Sequence, residues 1–311
     1  MEVRQRALRP EGLRSRPVRM DPVFDDPDAI LALMRRRAPY KTLLGFTGHD
    51  SVYGTADVPW FMDQTTDEPL LMHNPRWIEA AREAFDAEIV RPMNCTLNVN
   101  APAKSGPPHL DLPVYRGLKL PEAPMWLLTN MSRSRLFLPW LVPLATGLMW
   151  FWRGAGGEFE YWPDGPDAPS VCARAPLWNV GVMSDNEVMW HRVGAIGAEE
   201  RRAELAGSLP SRARMHSVGE GWELREDDRH IASYGRDEIR LSLVWKAYVF
   251  KDAAHLASFE DKAYDLDLDT VVDIYAEDLE KRGIDAPRPR DPLADLEWRK
   301  LIERVYRTPF D

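Results

Sequence analysis

A chain of 311 residues, 44% of them hydrophobic, is long enough for one large domain or two small ones and for a substantial buried core. A net charge of −9 disfavours a main task of gripping nucleic acid, which calls for a basic excess. No apolar run approaches the roughly 18 residues of a membrane span, and the Arg-rich residues 1–20 lack the apolar stretch of a secretory signal.

Cys95 and Cys172 are too few for a disulfide framework or a metal knuckle, and read as two buried thiols in a reducing cytoplasm.

Residues 1–20 read as a flexible basic arm and 21–311 as a single domain. Asp26-Pro27-Asp28 supplies capping chemistry for a helix over AILALMRRR, with cations in its last turn. Residues 40–72 alternate turn signals with apolar patches, as loops and short strands do. Pro75 opens a second helix over RWIEAAREAFDAEI. After residue 90 the texture changes. CTLNVN, APMWLLTNMS, LATGLMWFWRG, GEFEYWPDG, APLWNVGVMS and EVMWHRVG read as short strands separated by Gly, Pro and Asp, the pattern of an antiparallel sandwich or barrel. Residues 197–236 interrupt it with a charged helix-like piece and a hairpin, GWELREDDRHIASYG. DEIRLSLVWKAYVF then alternates as a long strand, closing a β core of about 90–250. Residues 252–311 are acidic and helical.

His109-Leu110-Asp111 is the first feature with chemical content. In extended chain, residues two apart project to one side, so this imidazole and carboxylate can share a metal ion. One HxD arises readily by chance and needs a third ligand. His191, at the end of the apolar run EVMW, is the candidate. Two His and one carboxylate on one face of an ion form the facial triad of non-haem Fe(II) oxygenases, with positions left open for a co-substrate and O₂. The bland alternative is a hydrogen-bonded histidine at a strand edge. His49, His73, His216, His230 and His255 have no ligand-spaced partner and read as surface or structural.

Between the two candidate ligands, Gly156-Gly157 and Pro163-Asp164-Gly165 bracket a strand, as in a tight hairpin. Downstream, Arg240 and Ser242 share a strand face, where guanidinium and hydroxyl together suit a carboxylate.

HxD, a GGEFEYWPDG hairpin, a strand ending in His and an RxS strand together resemble the Fe(II)/2-oxoglutarate-dependent oxygenase superfamily, over residues 95–250. The resemblance implies a mainly β fold, a double-stranded β-helix (jelly-roll) core with flanking helices. It implies Fe(II) on His109, Asp111 and His191, and 2-oxoglutarate held by Arg240 with help from Ser242. Asn98 and Asn100, on the preceding strand, match polar positions that contact 2-oxoglutarate in the alkylation-repair branch, although Asn100 replaces that branch's usual aromatic residue. The 49 residues from Arg240 back to His191 exceed the family's usual gap. Residues 197–236 therefore read as an insertion that would fold over the site entrance, and Arg192 or Arg201 is the alternative carboxylate partner. Retention of Asp111 argues against a halogenase.

The expected reaction is oxidation of a small organic molecule by O₂, most simply hydroxylation, with succinate and CO₂ as co-products. Tyr115, Trp126, Trp150, Trp152, Tyr161 and Trp178 are candidate substrate walls, with core filling as the plain alternative. A protein or peptide hydroxylase and a non-catalytic jelly-roll binding module stand as the other readings.

Overall fold

In a computed structural model, the protein is described over residues 16–43, 59–120, 122–202, 209–262, 265–308 and 310. The chain enters through β1 (Val18–Met20) and α1 (Pro27–Arg36), continues through β2 (Tyr40–Thr42), β3 (Trp60–Thr65), a single turn α2 (Pro69–Met72) and α3 (Pro75–Phe85), and reaches the long β4 (Ile89–Asn100). The Asp26 carboxylate caps α1 by accepting from the Ala29 amide, and Asn74 caps α3 by accepting from Arg76. Asp86, in the left-handed region at φ 49°, ends α3.

The second half follows as α4 (Met125–Ser134), β5 (Leu144–Trp152), β6 (Phe159–Trp162), β7 (Val171–Ala173), β8 (Leu177–Ser184), β9 (Trp190–Val193), the short α5 (Glu199–Arg202), β10 (Arg214–Val218), β11 (Gly221–Glu226), β12 (Arg229–Tyr234) and β13 (Arg240–Phe250). Three helices close it: α6 (Ala253–Glu260), α7 (Leu268–Lys281) and α8 (Leu296–Val305).

Ten strands form an antiparallel sheet in the order β1-β8-β5-β13-β4-β3-β2-β10-β11-β12, and three form a second sheet, β7-β6-β9. A bridge between His109 and His191 adds the HxD segment beside β9. The chain thus alternates between sheets. β4 lies in the large one, His109 in the small, β5 in the large, β6 and β7 in the small, β8 in the large, β9 in the small and β13 in the large. This double winding is the expected double-stranded β-helix.

Strand alternation sorts β13. Leu241, Leu243, Trp245, Ala247 and Val249 pack into the main core with α1 and α3, leaving Arg240, Ser242 and Lys246 on the face towards the small sheet. Trp77 of α3 meets Trp245 edge-on at 5.9 Å between ring centroids, and Phe24 edge-on at 5.2 Å. Trp245→Ala is expected to cost about 3–5 kcal/mol, because the surrounding sheet and helix cannot collapse into the void; urea unfolding measures it. A second core joins α4, α7 and α8, and a third, with Trp150, Phe159 and Val182, fills the space between the sheets.

Four expectations change. APMWLLTNMS is the helix α4, not a strand: Leu127, Leu128 and Met131 form one buried helical stripe against α7 and α8. Residues 16–20, expected to belong to a flexible arm, are instead tied down, since β1 pairs with β8 and the Arg16 amide donates to Ala84; the rest of the expected arm, residues 1–15, lies outside the described residues. The hairpin expected at 221–235 forms, but it is no separate interruption of the β core: β10–β12 extend the large sheet beyond β2. Cys95 is buried as expected, whereas Cys172 is half-exposed.

Candidate metal centre

His109 and His191 are a backbone pair. Each amide donates to the other's carbonyl, at 2.9 and 3.0 Å, which brings the ring centroids to 4.4 Å. The Asp111 amide donates to the Asn186 carbonyl, in the turn leading into β9, so the same loop that delivers His191 also fixes Asp111. Asp111 Oδ1 lies 3.3 Å from His191 Nε2. One donor atom from each of the three residues lies within 4.8 Å of the others, the spread a single ion can bridge.

The tautomers follow from the surroundings. His109 Nδ1 faces the Pro107 carbonyl at 3.0 Å and His191 Nδ1 faces the Met189 carbonyl at 3.1 Å. A ring nitrogen opposite a carbonyl carries the proton, which leaves each Nε2 lone pair for the ion. Burial, then the neighbouring His191, lowers the His109 pKa to about 4 against the pull of Asp111, so its imidazole is neutral at neutral pH. Burial would raise the Asp111 carboxyl, but Lys246 and the two imidazoles outweigh it and hold it well below the usual carboxylate range. Two imidazoles and one carboxylate fit a divalent ion with open positions, and Fe(II) in particular.

Further along β13, Arg240 is buried and sits opposite Asn100, while Ser242 sits opposite Asn98. Arg240 Nε donates to the Gly157 carbonyl at 3.0 Å, Nη1 lies 3.5 Å from Ser242 Oγ, and Nη2 is buried with no partner. Burial lowers the guanidinium pKa to about 10, with Glu158 opposing, so the group remains a cation. A buried guanidinium with an idle donor is what a carboxylate ligand requires. Asn98 accepts at 2.7 Å from the Trp60 indole. The alternatives to Arg240 are engaged elsewhere: Arg192 with Glu160 at 2.6 Å, Arg201 with Glu238 at 2.8 Å.

The double glycine has a physical reason. Gly156 and Gly157 have φ of 70° and 71°, and their carbonyls receive the Trp152 indole and Arg240 respectively. A Cβ on Gly157 would lie 2.9 Å from Arg240 Cδ. Gly157→Ala is expected to destabilise by about 1–2 kcal/mol from the left-handed backbone alone and to push Arg240 aside; thermal unfolding reads the first effect.

The proposed substrate walls divide. Tyr161 pairs with His191 across β6 and β9, and Trp150 lies opposite Ser242 on the inner face. Trp152 is fully buried and locked to Gly156. Tyr115 packs on Phe137 in the helical core, Trp126 sits on Trp298 between α4 and α8, and Trp178 meets Phe151 edge-on at the helix-covered face with Arg153 above its ring. Trp126 and Trp178 are therefore not beside the triad: helical packing and the β8 register turn them elsewhere. Three neighbours of the centre escaped the sequence reading. Lys246 shares the inner face of β13 with Arg240 and bonds both Asp111 and Glu187; its even spacing from Arg240 was a usable signal. Glu187 and Trp60 carry no such pattern.

No protein-family model matches the chain, and no curated protein matches its sequence. Among solved structures it is similar to a Pseudomonas putida prolyl-4-hydroxylase, at 11% identity and a TM-score of 0.39, covering 76% of this chain and 94% of that one. It is also similar to a Burkholderia pseudomallei oxidoreductase of the 2OG-Fe(II) oxygenase family, at 14% identity and a TM-score of 0.41, covering 76% and 87%. HygX from Streptomyces hygroscopicus, solved with nickel, 2-oxoglutarate and hygromycin B, matches at 10% identity and a TM-score of 0.39, covering 76% and 83%. At such overlaps the weight rests on the site's own geometry.

Proposed function

We propose that the chain is an Fe(II)- and 2-oxoglutarate-dependent dioxygenase that oxidises a small organic molecule, most simply by hydroxylation. The observation that carries this reading is the convergence of His109, Asp111 and His191 donors within 4.8 Å, from two separate chain segments. Those three would hold Fe(II), and Arg240 with Ser242 would hold the far carboxylate of 2-oxoglutarate, Asn98 and Asn100 lining the same face. Bound together, the iron and 2-oxoglutarate supply the means to oxidise a C–H bond with O₂, with succinate and CO₂ as co-products.

The protein's own part is arrangement. The Nδ1 hydrogen bonds fix both imidazoles with their Nε2 atoms converging. Asp111 supplies the compensating charge. Arg240 orients the co-substrate and neutralises its carboxylate in a dry setting. Trp150, Phe159 and Tyr161, packed between the sheets, exclude water and offer flat walls for a ring-containing substrate. The peptide-hydroxylase reading rests on a groove formed by the terminal helices with residues 197–236, of which β10–β12 extend the large sheet. Two free thiols support a reducing, cytoplasmic setting, and no helix among the described residues is long and apolar enough to cross a membrane.

Incubating Fe(II)-loaded protein with 2-oxoglutarate, O₂ and panels of metabolites or peptides tests the proposal. Iron-dependent succinate stimulated by metabolites is expected. Succinate stimulated only by peptides moves the reading to a peptide hydroxylase, and none under any condition favours the binding-module alternative.

A further inference from the structure

The Asp111 carboxylate is divided between an imidazole and an ammonium group. Its Oδ1 faces His191, whereas its Oδ2 accepts from Lys246 Nζ at 2.7 Å. Lys246 also bonds Glu187 Oε1. Glu187 is completely buried, and its Oε2 has no partner. A buried, half-satisfied ion pair rarely stabilises a fold by itself, because desolvation offsets the attraction. Its position suggests another use. Lys246 alone would place a full positive charge one carboxylate away from a dication and weaken its binding. Glu187 offsets that charge. It rides on the 185–189 turn, which also accepts the Asp111 amide through Asn186 and leads into His191.

Resting on the metal reading above, we propose that Lys246 and Glu187 form a charge-balanced outer pair, in which Lys246 fixes the Asp111 carboxylate by Oδ2 and Glu187 preserves the centre's affinity for its divalent ion. Both are positioning residues, since neither is a ligand. Counting Asp111, Lys246 and Glu187, the local charge is −1. Glu187→Gln makes it 0, Lys246→Met makes it −2, and the double variant restores −1. Metal affinity rises as this charge becomes more negative.

The test is Co(II) titration of the full chain by calorimetry at pH 8, with the visible bands of bound Co(II) as a second readout and melting of the metal-free protein as the folding control. Outer partners of metal ligands typically influence affinity about 10–100-fold. Glu187→Gln is therefore expected to weaken Co(II) binding at least about tenfold, and Lys246→Met/Glu187→Gln to return it to within about threefold of wild type. A double variant no better than Glu187→Gln, or a Glu187→Gln variant that binds like wild type, overturns the proposal. If Glu187→Gln fails to fold, adding it to Lys246→Met must again weaken binding about tenfold, and unchanged affinity overturns the proposal. A wild-type chain that binds no Co(II) refutes instead the metal reading on which it rests.

Discussion

Replacing His191 by alanine is expected to abolish stoichiometric Fe(II) binding while leaving the fold in place. The pairing that seats this residue is made by its main chain, through reciprocal bonds to His109, and survives loss of the ring. The deleted side chain bonds the Met189 carbonyl and faces Asp111 Oδ1 at 3.3 Å, so the stability lost is modest, about 1–3 kcal/mol. Metal binding loses far more. His109 and Asp111 offer only two donors from one short segment, and the effect should exceed the roughly 10–100-fold seen for partners that merely orient ligands. Anaerobic metal analysis beside thermal unfolding separates the two. A variant that keeps its iron would remove His191 from the centre.

Arg240→Met carries the second large effect. Two charge-assisted hydrogen bonds to a carboxylate contribute about 3–6 kcal/mol together. Their loss raises the Kd for 2-oxoglutarate by at least about 100-fold. Fe(II) binding should persist, because Arg240 touches none of the three ligands. The unliganded protein should lose little stability or gain some, since Nη2 is buried without a partner and the uncompensated charge is itself costly. Arg240→Lys retains charge without the planar fork and is expected to fall between. Calorimetric titration with 2-oxoglutarate measures the loss. A large drop in stability with unchanged 2-oxoglutarate affinity would mark Arg240 as a structural group only.

The β core was legible because its strands obey simple alternation. RLSLVWKAYVF sorts itself into a core face and a site face, and the register of β13 against β4 sets Arg240 beside Asn100 and Ser242 beside Asn98. HxD was legible for the same reason. The helix α4 was not: Trp, Met and Leu serve either structure, and what decides is the apolar stripe that α7 and α8 cover, a contact made by residues more than a hundred positions away. Trp126 and Trp178 settle in other layers for a related reason, since an aromatic side chain says that it will be buried, not against which layer. The outer pair was hidden because Glu187 lies on an irregular turn, where no periodicity predicts the direction of a side chain.

Anaerobic titration of the wild-type chain with Fe(II) and 2-oxoglutarate, followed by visible absorption, tests most directly whether the three side chains and Arg240 build one centre. A charge-transfer band that saturates at one iron per chain, and is missing in His191→Ala, is the predicted result. A solution that stays colourless, with iron free in the filtrate, would contradict it.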